Sequence, residues 1–126
     1  MEPSLNGQYM IATKPMELEI KVAEEFSPFP GGRNPSHGEF NGEVFRERYL
    51  EPPLREKKSI IVVFDGVAGL PSSFIEEAFG GLVRKKIISK FKDYQNLVRI
   101  KANSPAVKNA PQMIERYVRE ALKRKQ

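Results

Sequence analysis

Residues able to do chemistry gather in two stretches of this chain. In FDGVAGLPSSFIEEAFGG, residues 64–81, Asp65 closes an apolar run, Ser72 and Ser73 stand where a helix begins, and Glu76 and Glu77 follow. Ser73, Phe74, Ile75 and Glu76 fit the S-x-x-E capping box, in which hydroxyl and carboxylate each serve a backbone N–H of the first turn. Ser73 and Glu76 are therefore expected as a helix cap, worth about 1 kcal/mol. Ser72 precedes that cap and is not needed for it. Its hydroxyl is expected at the tip of the turn, near the positive end of the helix dipole, where a phosphate gains N–H partners. A plain turn residue explains the same letter. Asp65, Glu76 and Glu77 have the chemistry to hold Mg²⁺, but glutamates in a first turn already have a dipole reason to be there, and no metal site is assigned.

The second stretch is GGRNPSHG, residues 31–38. Gly31 and Gly32 offer backbone N–H groups and Arg33 a guanidinium, a set able to cradle a phosphate or nucleotide. A flexible loop with an exposed arginine explains the same letters. His37 is the only histidine and lacks a second ligand at metal-binding spacing. G-x-x-x-x-G-K-[ST], G-x-S-x-G and H-E-x-x-H are all missing. The reading is a non-catalytic protein, with no catalytic residue and no cofactor assigned.

The elements that must position these groups follow from periodicity. Met16, Leu18, Ile20 and Val22 alternate with Glu17, Glu19, Lys21 and Ala23, which predicts a strand over 17–25. A short strand is also expected near Tyr9–Ala12, in an N-terminal arm of residues 1–16. Residues 27–41 hold three prolines and three glycines and are expected to be a loop. Asn41 caps a helix carrying Phe45 and Tyr49, which Pro52 and Pro53 are expected to stop. Ser59–Asp65 is a continuous apolar run, expected as a central strand covered on both faces. A helix follows over 74–86, then a strand over 97–101, then a turn at Ser104–Pro105. The last helix has its apolar stripe on Ile114, Tyr117, Val118, Ala121 and Leu122. Gly80 and Gly81 inside a helix cost about 1 kcal/mol each, so close approach to the sheet is expected there. Strand and helix alternate, which predicts one α/β layered domain over 17–126, with a mostly parallel sheet of three to five strands and about three helices. In such sheets the ligand edge lies beyond the carboxyl ends of the strands, where Asp65 sits.

Composition bounds the partners. The chain has 126 residues, no cysteine and a net charge of +5. Residues 84–126 hold thirteen Lys/Arg against three acids, whereas residues 1–83 are net acidic. A basic end of this kind suits nucleic acid, an acidic partner or a membrane surface, and a solvated helix face explains the same charges. No stretch approaches the about 20 apolar residues that cross a bilayer, so a cytoplasmic protein without a membrane partner is expected.

The segment VVFDGVAGLPSSFIEEAFGGLVRK resembles the STAS fold of sulfate transporters and anti-sigma-factor antagonists. SPAVK, residues 104–108, is similar to the segment that opens the later antagonist helix. Together with FPGGR and GEVFRERYLEPPLR, the same residues resemble the STAS-like domain family of unknown function, over about residues 19–122. The resemblance to the antagonists implies a protein–protein regulator whose partner is a histidine-kinase-type ATPase or similar signalling protein. It makes Ser72 the phosphoacceptor candidate and the helix of residues 72–79, with Asp65, Phe74 and Glu77, the docking surface. Pro71 stands where the antagonists carry aspartate, and Phe74 where they carry glycine.

Overall fold

The computed structural model describes residues 17–125. The arm of residues 1–16, with the strand expected near Tyr9–Ala12, lies outside the described residues. Three strands, β1 (Glu17–Lys21), β2 (Ser59–Val63) and β3 (Val98–Lys101), form a parallel sheet in the order β1-β2-β3. The register sets Glu19 beside Ile61 and Ile61 beside Arg99. Among the described residues five helices accompany it: α1 (Val22–Glu25), α2 (42–55), α3 (72–84), α4 (Phe91–Leu97) and α5 (Ala110–Arg124). The α/β class and the parallel sheet agree with the expectation. Helices α1 and α4 are the two that periodicity did not reveal.

Strand β1 ends at Lys21 rather than residue 25. Prolonging it would set Glu24 on the core face between Val22 and Phe26, both of which are buried. A single helical turn instead turns Glu24 and Glu25 outward, and the Glu25 carboxylate accepts from the Lys21 N–H at 2.9 Å.

Helix α2 runs through Pro52 and Pro53 instead of stopping before them. Its middle section, Arg46–Leu50, is a wide turn in which the Glu51 N–H reaches the Arg46 carbonyl, five residues back. The prolines then occupy the first turn of the final section, where a missing N–H costs least. Glu47 and Arg48 of the preceding turn are exposed, which leaves this side of the helix open to solvent where the prolines donate no N–H. Helix α3 has the same construction, with a wide turn over Glu76–Gly80.

Both crossovers step along the sheet in the same direction, which puts their helices on one face when the connections are right-handed. Burial agrees: Ile60 and Val62 of β2 are fully buried, whereas Ile61 and Val63 are half-buried. Coverage of β2 on both faces is therefore corrected. Among the described residues the second face carries Glu17, Glu19, Lys21, Arg99 and Lys101 around Ile61 and Val63, with Arg99 3.5 Å from Glu17. The core lies between the other face and the helices, and Phe26, Phe45 and Phe74 meet in it with centroids 5.1–6.3 Å apart.

Candidate functional site

Helix α3 begins at Ser72, with Pro71 as its N-cap at φ −58° and no side-chain cap. Proline fixes the chain in this conformation, so both serines fall inside the first turn. The capping box of Ser73 and Glu76 is therefore corrected: neither side chain serves the other's backbone. Ser72 is exposed and Ser73 half-buried. Phe74 is fully buried against Phe45 at 5.6 Å, so it belongs to the core and not to a docking surface.

Glu76 turns to arginines instead. Arg33 reaches its Oε1 at 2.5 Å, and Arg84 reaches Oε2 at 2.7 Å and Oε1 at 3.1 Å. Arg33 also donates to Glu77 Oε1 at 3.1 Å. The other oxygen of Glu77 accepts from Arg46 at 2.6 Å, and the same Nη1 donates to the Glu77 carbonyl at 2.8 Å. Arg46 Nε then donates to Glu51 at 2.8 Å, and Glu51 accepts from Arg55 at 3.0 Å. Seven side chains thus alternate in sign as Arg55–Glu51–Arg46–Glu77–Arg33–Glu76–Arg84.

The wide turns of α2 and α3 face one another across this chain, and the glycines make room for it. A Cβ on Gly81 would collide with the Arg46 guanidinium, and one on Gly80 with the Glu76 carboxylate. The expected close approach of these glycines to the sheet is therefore replaced by close approach to buried charge. Gly42 allows α2 to touch α3, since a Cβ there would lie 2.5 Å from the Phe74 carbonyl.

Arg46 is only 2% exposed, and a charge so deep persists only with its hydrogen bonds filled. Burial opposes the charged forms of Glu76 and Glu51. The hydrogen bonds from Arg84 and Arg33, and from Arg46 and Arg55, outweigh it and hold both carboxyls below their ordinary range. Carboxylates flanked in this way are poor general bases and poor Mg²⁺ ligands.

Asp65 lies at the carboxyl end of β2, as expected, but serves the backbone. It accepts from the N–H groups of Asn103 at 2.6 Å and Ser104 at 2.7 Å. The Ser104 amide, then that of Asn103, holds the Asp65 carboxyl below its usual range against burial. These bonds anchor the backbone that enters the turn Pro105–Val107, which has no side-chain cap.

The 31–38 loop is folded onto the N-terminus of α2. Gly32 and Arg33 present carbonyls to the N–H groups of Gly42 and Glu43, at 2.9 and 3.0 Å, and Asn41 takes those of Val44 and Phe45. The Gly31 N–H is bonded to the Phe40 carbonyl. The geometry of Gly31, Gly32 and Arg33 is thus that of a clamp on α2 and α3.

Sequence reasoning missed Arg46, Glu51 and Arg84. One sign was present: Arg46 shares the helical stripe of Gly42, Phe45 and Leu50, where a charge needs a buried partner.

Beside Ser72 the loops leave an apolar groove of about 430 Å³, lined by Phe29, Pro30, Ala68, Gly69, Leu70 and Pro71. Phe29 is 74% exposed. The Ala68 N–H donates to the Pro28 carbonyl at 2.8 Å and holds the two walls together.

Comparison with curated proteins and with solved structures returned no match. The family described as STAS-like domain of unknown function (DUF4325) matches residues 41–105. The match opens on Asn41, the cap of α2, and spans β2, β3, the Asp65 contact and every member of the arginine–glutamate chain except Arg33. With its three-stranded parallel sheet and the helices that carry the arginine–glutamate chain, this protein belongs to the family of STAS-like domains of unknown function.

Proposed function

We propose that this chain is a non-catalytic regulatory domain that docks another protein at the carboxyl edge of its sheet and releases it when Ser72 is phosphorylated. The observation that carries the reading is the groove of exposed Phe29, whose lining reaches Pro71, the neighbour of exposed Ser72 in the chain. An exposed aromatic beside prolines and a leucine supplies the anchor on which interface energy usually concentrates. Phosphate on Ser72 brings nearly two negative charges to the rim of that groove, one helical turn from Glu76. An apolar or acidic partner seated on Phe29 is thereby repelled.

The likeness to anti-sigma-factor antagonists supports a histidine-kinase-type ATPase as the partner class. The carboxylates at this edge support a binding role, because Asp65, Glu76 and Glu77 are committed to backbone or arginine.

The test is capture from cell extract with wild type, Ser72→Asp and Phe29→Asp as baits. Both variants are expected to lose the same ATPase-type partner while melting like wild type. Identical partner sets for all three baits overturn the reading.

A further inference from the structure

The opposite pole of the molecule carries a separate feature. Helices α2, α3 and α5 each follow a parallel strand, so all three end at the amino edge of the sheet. Helices α2 and α3 end alike. In α2 the Lys57 N–H reaches the Leu54 carbonyl and the Lys58 N–H reaches that of Pro53, at 3.0 Å each. In α3 the Lys86 N–H reaches Val83 and the Ile87 N–H reaches Leu82, at 2.9 Å each. These are paired Schellman closures, whose left-handed position normally holds glycine. Here it holds lysine twice, Lys57 at φ 61° and Lys86 at φ 62°. A β-carbon at such φ is strained, and glycine would relieve both sites.

The two strained lysines line one cleft of about 180 Å³ with Arg55, floored by Leu54 and Ile87. Helix α5 joins the same pole, where Lys125 Nζ donates to the Ser89 carbonyl at 2.7 Å. Lys90 and Lys123 stand exposed beside that contact in sequence. Among the described residues Lys57, Lys86, Lys90, Lys123 and Lys125 make no ion pair, while Glu51, Glu56 and Glu120 are taken by Arg55, Lys58 and Arg124. The negative helix ends attract some of this charge. They do not require it at positions where the backbone favours glycine.

We propose that this basic pole binds the sugar–phosphate backbone of a nucleic-acid duplex without reading its sequence. Its unpaired cations are lysines, point charges that meet phosphates without the fixed geometry of a guanidinium fork. Of the large exposed apolar residues, Phe29 and Phe40 belong to the 27–41 loop, and Leu18 alone lies near this pole, in a cleft with Pro52, Pro53, Glu56 and Lys58. Among the described residues the pole thus presents no exposed aromatic platform for unstacked bases, and one leucine is too small a wedge to seat it in a bilayer. What remains is phosphate neutralisation, which makes affinity fall steeply with salt.

The test is fluorescence anisotropy of a labelled DNA duplex with the full chain, from about 50 to about 200 mM salt. Wild type is expected to bind with a log–log salt slope of about −4, and Lys57→Gly with Lys86→Gly to bind at least tenfold more weakly with a slope shallower by about 2. Because glycine relieves both left-handed sites, the double variant melts no lower than wild type. If it does melt lower, Lys57→Gln with Lys86→Gln replaces it under the same criterion. Three results overturn the proposal: no binding at low salt, undiminished binding by the charge-removed variant, or equal binding of poly-glutamate or anionic vesicles. None of them bears on the Ser72 groove, which lies at the other end of the strands.

Discussion

Ser73 and Gly81 show how differently two small residues of one helix are used. Ser73 has the letters of a cap and caps nothing, because Pro71 starts the helix two residues earlier and Glu76 goes to Arg33 and Arg84. Ser73→Ala is therefore expected to change stability by under about 0.5 kcal/mol, where a real cap would cost about 1. Gly81 reads as a helix weakness, and alanine there gains about 1 kcal/mol in propensity. The added carbon collides with the buried Arg46 guanidinium, so Gly81→Ala is expected to destabilise by about 2 kcal/mol net. Urea unfolding of the two variants side by side checks both, and a stabilised Gly81→Ala would contradict the clamp.

At the scale of elements, the segment after β3 is positioned by a single carboxylate from β2. Asp65 holds the amides of Asn103 and Ser104, and through them the turn that feeds α5. In Asp65→Ala, hydrogen exchange of those two amides is expected to accelerate at least tenfold, while the β2 amides keep their protection. Equal acceleration in β2 would mean that Asp65 supports the whole sheet. Prolines show the same dependence on context. Pro52 and Pro53 read as a stop, and the wide turn of Arg46–Leu50 turns them into the start of a new helical section.

For the molecule as a whole, the arginine–glutamate chain predicts a defined acid sensitivity. Glu51, Glu76 and Asp65 all have carboxyls held below their usual range in the folded state. The unfolded chain, with ordinary values of about 3.9 for Asp and about 4.3 for Glu, then binds more protons than the folded one. Stability from these groups is present above those values and is lost as pH falls through the lower folded ones. Urea midpoints are expected to be flat from about pH 7 to about pH 5 and to fall below about pH 4. Glu76→Gln is expected to be less stable at neutral pH and to show a shallower acid limb. A parallel limb in that variant would remove Glu76 from the effect.

The strands, the last helix and the family likeness were legible because they rest on local repeats: period two in Leu18 and Ile20, helical spacing in Ile114, Val118 and Ala121, and the run of letters around Ser72. Ser72 was placed at an exposed helix start for the same reason. The ends of β1 and α2, the loss of the Ser73 cap and the burial of Phe74 were decided elsewhere, by residues far along the chain. Arg33 lies 43 positions from Glu76, and Arg46 lies 31 from Glu77. Sequence determined which segments form elements, since hydrogen bonding and amphipathicity act over a few residues. Only the tertiary structure decided which charges meet, because the energy of an ion pair depends on where burial and folding bring its partners together.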